Sequence, residues 1–141
     1  MRLAAVLLTF VLSMGGFAQV VAPTYTPKFP GDPAHSNAEA AALGYMRTVA
    51  YSQNVYKKKH GTYATSLAGL VGTHSFTRRM TSTDRGDYTS KFHSTGKDWS
   101  LALVPKTFDD AHRSFYIDET GTIRAEDSQA ATASSEPINK K

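Results

Sequence analysis

The run Asp109-Asp110-Ala111-His112 is the densest group of side chains able to do chemistry in this sequence. Carboxylates and an imidazole this close together can hold a metal ion, or relay a proton as a hydrolase requires. The same composition is typical of a solvated loop between two strands. The other histidines lack the i, i+4 spacing of a helical zinc site and are scattered at His35, His60, His74 and His93. We therefore expect no metal here, and a hydrolase using Asp109 and His112 is only a third hypothesis.

Other catalytic motifs are missing from the sequence. No serine stands in a Gly-x-Ser-x-Gly turn, and no glycine-rich phosphate loop is followed by a lysine. The chain has no cysteine, which excludes a disulfide framework, a thiolate zinc site and a lipoprotein anchor. We predict no catalytic residue and no cofactor.

Positive charge is the remaining chemical signal, because the formal net charge of +4 is unevenly distributed. Nine lysines and arginines against two aspartates lie between Arg47 and Lys97, whereas three basic and eight acidic residues lie between Asp98 and Glu136. A basic patch with nearby aromatic rings attracts phosphate backbones or anionic cell-surface polymers. The candidate patch consists of Lys57, Lys58, Lys59, Arg78 and Arg79, near Tyr56, Tyr63 and Phe76. The alternative is a solvated helix end and an exposed loop.

The first residues have the pattern of a cleavable secretory signal peptide. Arg2 supplies a positive start, residues 4–12 are apolar, and Gly16 and Ala18 fit the positions before a signal-peptidase cut. A membrane-spanning helix needs about twenty apolar residues, and two glycines interrupt this stretch. We predict cleavage after Ala18, with Ala22 as the alternative, and a periplasmic or secreted protein without a stable membrane anchor.

The rest of the chain, of 141 residues in all, has the length of one domain. It divides into a proline-rich linker at 19–36, a domain at 37–127 and a flexible tail at 128–141. Residues 38–59 carry one apolar stripe at helical spacing, with Gln53 in it, between Asn37 as N-cap and Gly61 as the stop. A short helical turn follows, in which Tyr63, Leu67 and Leu70 are the packing residues.

Period-two segments follow a loop predicted at residues 72–87. They cover residues 87–93, 99–104, 112–118 and 122–125, and the residues Asp118-Glu119-Thr120-Gly121 predict a hairpin turn. Trp99 alternates in phase with Leu101 and Leu103, which favours a core position over a ligand platform. Strands that follow a single helix predict an α+β fold, with one long helix packed on a three- to four-stranded antiparallel sheet.

The order of several segments resembles that of type IV pilin-like proteins, including the pseudopilins of type II secretion. The similar segments are Asn37-Ala38-Glu39-Ala40-Ala41-Ala42-Leu43-Gly44, Arg47-Thr48, Gln53, Tyr56, residues 61–70, Arg113-Ser114-Phe115-Tyr116-Ile117-Asp118 and Gly121-Thr122-Ile123-Arg124. The resemblance implies a helical spine on an antiparallel sheet. It also implies a non-catalytic binding or structural role with another envelope or secretion protein. Some pseudopilins hold calcium in a C-terminal loop, but Asp109, Asp110 and Asp118 do not match that ligand pattern.

The leader departs from the pilin pattern. Assembling pilins have a glutamate soon after their Gly-Phe cleavage site and keep the apolar helix that follows the cut. Here Gly16-Phe17 is followed by Ala18-Gln19-Val20-Val21, and the apolar segment precedes the cut. The sequence therefore predicts a pilin-like domain behind an ordinary export signal, not a filament subunit.

Overall fold

One long helix followed by an antiparallel meander makes up the computed structural model, which describes residues 24–139. The elements are α1 (Asn37–His60), two 3₁₀ helices (Leu67–Leu70 and Arg78–Thr81), β1 (Asp84–Arg85), β2 (Tyr88–Ser94), β3 (Trp99–Pro105), β4 (Ser114–Asp118), β5 (Arg124–Glu126) and β6 (Glu136–Pro137). The predicted signal peptide and its cut after Ala18 lie outside the described residues. Within residues 24–139, no helix is both long and apolar enough to cross a membrane.

Local side-chain and backbone contacts fix both ends of α1. The N-cap is Ser36, whose Oγ accepts a hydrogen bond of 3.0 Å from the Glu39 amide. The prediction of Asn37 as N-cap was therefore wrong by one residue. Ser36 is suited to the position because its Oγ also donates to the carbonyl of Ala111, at 2.6 Å. At the other end, Gly61 has a φ of 80° and its amide donates to the Lys57 carbonyl at 2.8 Å, which confirms the predicted stop.

The α+β class is confirmed, but the predicted count of three to four strands was wrong. The sheet has six strands in the order β1-β2-β3-β4-β5-β6, and every neighbouring pair is antiparallel. The four predicted strands correspond to β2 through β5. The sequence missed β1 and β6 because each is two residues long, too short to show an alternating pattern.

The core lies between α1 and one face of the sheet. Leu43, Met46 and Val49 of α1 are fully buried in one cluster with strand side chains. The strand side chains of that cluster include Tyr88, Trp99, Leu101, Leu103, Phe115 and Ile117. Side chains that alternate along β3 point to this cluster, in agreement with the predicted phase of Trp99. Burial of these apolar groups is the main force that holds the helix on the sheet.

Residues 24–36, assigned to the linker by the sequence, form a turn with contacts to the domain. The Tyr25 hydroxyl donates to the Asp32 carboxylate, which also accepts from the amides of Lys28 and Ala34 at 2.9 and 3.1 Å. Ala34 is buried, and Tyr25 packs against the core cluster. The turn therefore leads the chain into α1 along the surface of the domain.

Residues 127–139 return to the sheet through a buried serine. Ser114 Oγ accepts from the Ala131 amide at 2.7 Å and donates to the Gln129 carbonyl. The Arg124 guanidinium donates to the Ser135 carbonyl at 2.8 Å, and β6 then pairs with β5. These contacts attach residues 128–139, which the sequence assigns to a flexible tail, to the sheet.

Candidate functional site

A buried ion pair joins the first turn of α1 to the start of β4. Glu39 is fully buried, and its Oε2 lies 2.8 Å from Arg113 Nη2. Its Oε1 accepts from Arg113 Nε at 3.1 Å and from the Arg113 amide at 2.9 Å, and Oε2 accepts from the His35 amide at 2.8 Å. Arg113 also donates to the Pro33 carbonyl at 2.7 Å. Every hydrogen-bonding direction of the carboxylate is thus used by the protein itself.

Electrostatics keep Glu39 ionised in spite of its burial. Burial raises the pKa of Glu39, but the hydrogen bonds from the Arg113 side chain, the Arg113 amide and the His35 amide lower it by more. The resulting pKa is below the ordinary value of a glutamate. A carboxylate held in this way is a structural anchor, since a general acid or base needs a pKa near the working pH and a free path to its proton.

The predicted Asp109-His112 group does form, and it includes a third residue. His112 Nδ1 lies 2.7 Å from Asp109 Oδ1, and His112 Nε2 lies 3.5 Å from Asp87 Oδ2. Asp87 stands between β1 and β2, while Asp109 and His112 belong to the loop between β3 and β4. The imidazole thus connects two loops at the end of the sheet near the N-terminus of α1.

The two carboxylates set the charge of His112. Burial lowers its pKa, but the hydrogen bonds and charges of Asp109 and Asp87 raise it by more, and the resulting pKa lies above 6.5. The hydrogen bond from His112 in turn lowers the pKa of Asp109. Both ring nitrogens face carboxylates, so the imidazole favours its protonated form and acts as a charged link.

The other acidic candidates do not join this group. Asp110 is exposed in the same loop, and Asp118 lies at the opposite end of β4, where its Oδ1 accepts from the Thr120 amide at 3.0 Å. Within residues 24–139, no group of three or more histidines and carboxylates has an arrangement that could hold a metal ion. A shallow hollow of about 160 Å³ is lined by Asp87, Lys106, Thr107, Asp109 and His112.

The five residues of the predicted basic patch occupy two separate places. Lys57, Lys58 and Lys59 form the exposed last turn of α1, whereas Arg78 and Arg79 lie in the second 3₁₀ helix. That 3₁₀ helix is attached to α1 at Tyr45, whose hydroxyl donates to the Met80 carbonyl at 2.8 Å. Twelve residues of helix separate Tyr45 from Lys57, which is about 18 Å along the axis. The structure therefore brings the three lysines together but does not place the two arginines beside them.

The aromatic residues named with this patch have different surroundings. Lys57 Nζ stands 4.2 Å from the centre of the Tyr63 ring, and Tyr56 stacks on His60 with ring centres 4.2 Å apart. Phe76 is buried in the core at 2% exposure and is therefore closed to a ligand. The Tyr63 amide donates to the Gly96 carbonyl at 2.8 Å, which brings the β2–β3 turn and its exposed Lys97 toward the end of the helix.

Sequence reasoning missed the pairing of Glu39 with Arg113 and the role of Asp87. Both depend on contacts across the fold, the first between residues 74 positions apart. The sequence did contain a signal for the Glu39–Arg113 pair. Glu39 lies among alanines and a leucine, on a helix whose other charged residues are all basic. A lone carboxylate on an apolar helix segment requires a partner when it is buried.

Comparison of the chain with models of known protein families, with characterised proteins and with solved structures finds no match.

Proposed function

We propose that this chain is an exported, non-catalytic binding or structural module of the cell envelope or secretion apparatus, built on a pilin-like domain. The observation that supports this proposal best is the architecture. One 24-residue helix comes first and packs on one face of an antiparallel meander that follows it in the chain. The resemblance of residues 37–44, 61–70 and 113–124 to pilin-like proteins suggests the same order of elements.

The arrangement of charged groups supports a non-catalytic role. Glu39, Arg113 and His112 combine burial or partial burial with ion pairs, and each makes contacts that hold loops or helix ends in place. In such a module, the exposed surface carries the function by contacting another protein, and the buried charges preserve its shape.

Mass spectrometry of the N-terminus tests the proposal at its first step. Expression in a bacterium with a Sec pathway should yield an exported protein that begins at Gln19, or at Pro23 if the cut follows Ala22. Replacement of Ala18 by a bulky residue, Ala18→Leu, should block cleavage at that site. A methylated Phe17 would return the chain to the filament-forming pilins, and retention of the intact leader in the cytoplasm would contradict export.

Binding of an anionic polymer is the second candidate function. The observation that favours it is the exposed group Lys57, Lys58 and Lys59, with Lys97 on the turn held beneath the helix end. Within residues 24–139, none of these four lysines forms an ion pair. An unneutralised cluster of this kind attracts a phosphate backbone through counterion release.

Titration with a fluorescent DNA duplex at several salt concentrations tests this candidate. If the lysine cluster binds DNA, reversal of Lys57, Lys58 and Lys59 to glutamate should weaken binding strongly and flatten the salt dependence. Reversal of Arg78 and Arg79 is the control, because their 3₁₀ helix contacts α1 at Tyr45, about 18 Å along the helix axis from Lys57. Equal effects per reversed charge in the two variants would indicate nonspecific attraction to the net positive charge.

A further inference from the structure

The imidazole of His112 is held between two loops by contacts of unequal length. On one side, its Nδ1 lies 2.7 Å from Asp109 Oδ1, within a single turn of the β3–β4 loop. On the other side, its Nε2 lies 3.5 Å from Asp87 Oδ2, in the turn between β1 and β2. The first distance is that of a charge-assisted hydrogen bond, whereas the second is longer than an ordinary hydrogen bond. The two contacts should therefore respond differently when the ring loses its charge.

The number of protons on the ring decides how many of these contacts are favourable. A protonated imidazole donates from both nitrogens, whereas a neutral imidazole donates from one and has a lone pair on the other. The ionised carboxylates of Asp109 and Asp87 can only accept. One carboxylate of the pair therefore faces a lone pair when the ring is neutral, and its contact with the ring becomes repulsive. Loss of one proton thus breaks one side of the link.

The backbone of the β3–β4 loop preserves the contact with Asp109. Asp109 Oδ1 also accepts from the Ala111 amide at 2.8 Å, and the His112 amide donates to the Asp109 carbonyl at 3.0 Å. These bonds close a short turn that holds the carboxylate against the ring in either charge state. Ser36 Oγ, at the N-cap of α1, donates to the Ala111 carbonyl at 2.6 Å and fixes this turn in addition. A neutral ring therefore keeps its remaining proton on Nδ1.

The side chain of Asp87 is free to leave the ring. It is 67% exposed, so rotation about its own bonds carries the carboxylate into water. The backbone of Asp87 stays in place meanwhile, because its carbonyl accepts from the Lys106 amide at 2.8 Å. Release of this one side chain thus undoes the link between the two loops without unpairing β2 from β3.

The other titratable groups on the elements around His112 have partners of their own or are exposed to water. The ion pairs among them are Lys106–Asp84, at 3.1 Å, and Glu39–Arg113, at 2.8 Å. The Tyr88 ring centre lies 6.3 Å from that of the imidazole, and its hydroxyl donates to a backbone carbonyl at 3.0 Å. The Asp110 side chain, in the same loop as the imidazole, is exposed.

Asp109 and Asp87 therefore set the charge of the ring. Burial lowers the pKa of His112, but the hydrogen bonds and charges of these two carboxylates raise it by more, so that the pKa lies above 6.5. The favourable charge on the ring is complete below the unfolded value of 6.5 and is lost as pH rises through the folded value. The link between the loops follows the same course.

We propose that His112 is a pH-sensitive latch between the β1–β2 turn and the β3–β4 loop, closed when the imidazole is protonated and opened on its Asp87 side alone when the proton leaves. In the open state the ring donates from Nδ1 to Asp109, and the Asp87 carboxylate turns into water. The hollow of about 160 Å³ between the loops then loses the Asp87 side chain from its lining. The surface at this end of the sheet thus differs between weakly acidic and alkaline solution, whether or not the chain is exported.

NMR of the ¹⁵N-labelled purified protein from about pH 5 to about pH 9 tests the latch, because the imidazole ¹⁵N shifts report which nitrogen carries a proton. We expect both nitrogens of His112 to be protonated at low pH, and Nε2 alone to lose its proton as pH rises. The midpoint should be higher than that of the same histidine in the urea-unfolded chain. The backbone amides of Asp87 and Lys106 should shift with the same midpoint as the ring.

Asp87→Asn distinguishes the latch from a contact that is only structural. An asparagine amide can donate to a neutral Nε2, so this variant favours the neutral ring. It should lower the midpoint of His112 and remove most of the pH-dependent shift of the Lys106 amide. Asp110→Asn is the matched control, since it removes an exposed carboxylate of the same loop and should change the midpoint less.

Three results of the wild-type titration would each overturn the latch. They are loss of the proton from Nδ1 instead of Nε2, a midpoint no higher than in the unfolded chain, and amides of Asp87 and Lys106 that do not follow the ring. A wild-type midpoint in Asp87→Asn would overturn it as well. If that variant does not fold, the wild-type titration still decides, because it identifies the nitrogen that loses its proton.

Discussion

At the scale of single residues, Glu39 illustrates how a buried charge is made tolerable. The carboxylate has no exposure and yet accepts hydrogen bonds from one guanidinium and two backbone amides. Removal of one partner from a buried pair costs far more than the pair itself contributes, because the other charge stays in the interior without compensation.

We expect Glu39→Gln to lower the free energy of unfolding by about 3 kcal/mol or more. The variant keeps the shape of the side chain but leaves the Arg113 guanidinium unneutralised at 13% exposure. Urea unfolding followed by circular dichroism measures the change. In a double-mutant cycle, Glu39→Gln with Arg113→Gln should cost less than the sum of the two single changes. Asp84→Asn is the control, since the Asp84–Lys106 pair is exposed and should matter by less than about 1 kcal/mol.

His112 should make the stability depend on pH near neutrality. Its pKa is raised in the folded protein, so its favourable contribution is complete below the unfolded value of 6.5 and is lost as pH rises through the folded value. The stability difference between the wild type and His112→Asn should therefore be larger at pH 6 than at pH 8.5, by no more than about 1 kcal/mol. Denaturant titrations at several pH values measure it, and a difference that grows with pH would refute the charged link.

The sequence identified the Asp109-His112 group but not its chemistry. Short spacing placed the two side chains together, and a turn brings them into contact. Asp87 could not be predicted, since it reaches the imidazole only after β2 and β3 have paired. Gln53 is similar: it lies within the predicted apolar stripe, but its two hydrogen bonds to the backbone of Ala64, at 2.9 and 3.0 Å, require the chain to turn back after Gly61.

At the scale of elements, α1 was predicted almost to its ends, whereas the sheet was predicted only in its central strands. The apolar periodicity of a long helix extends over many residues, and residues typical of helix ends flank it. A long helix therefore gives a strong signal in the sequence. The strands β1 and β6 have two residues each and depend on neighbours for their existence.

Gly44 gives a prediction that belongs to the helix as a whole. It lies in the interior of α1, and a Cβ built on it meets no atom within 4 Å. Gly44→Ala should stabilise the protein by about 0.5–1 kcal/mol, because alanine loses less backbone entropy in a helix. Thermal or urea unfolding measures the gain. Gly61→Ala is the matched control and should destabilise, since Gly61 has a φ of 80°.

At the scale of the whole molecule, the segment after residue 127 is attached to the sheet by Ser114, Arg124 and β6. Deletion of residues 128–141 should therefore lower the free energy of unfolding by about 2 kcal/mol or more, because it removes the β5–β6 pairing and the hydrogen bonds of Ser114 to Gln129 and Ala131 and of Arg124 to Ser135. The urea midpoint measures this loss, with Ser134→Ala as a control at an exposed position of the same segment. An unchanged midpoint would show that the segment contributes nothing to folding.

The uninterrupted strand order has a consequence for how the chain folds. Each strand pairs with the one made just before it, so a chain that emerges from a ribosome or a translocation pore always finds its next partner already present. The ion pair of α1 forms later, because the partner of Glu39 is Arg113, which directly precedes β4. Assembly of the meander can thus proceed hairpin by hairpin, and the Glu39–Arg113 pair can close only after β1, β2 and β3, three of the six strands, have been made.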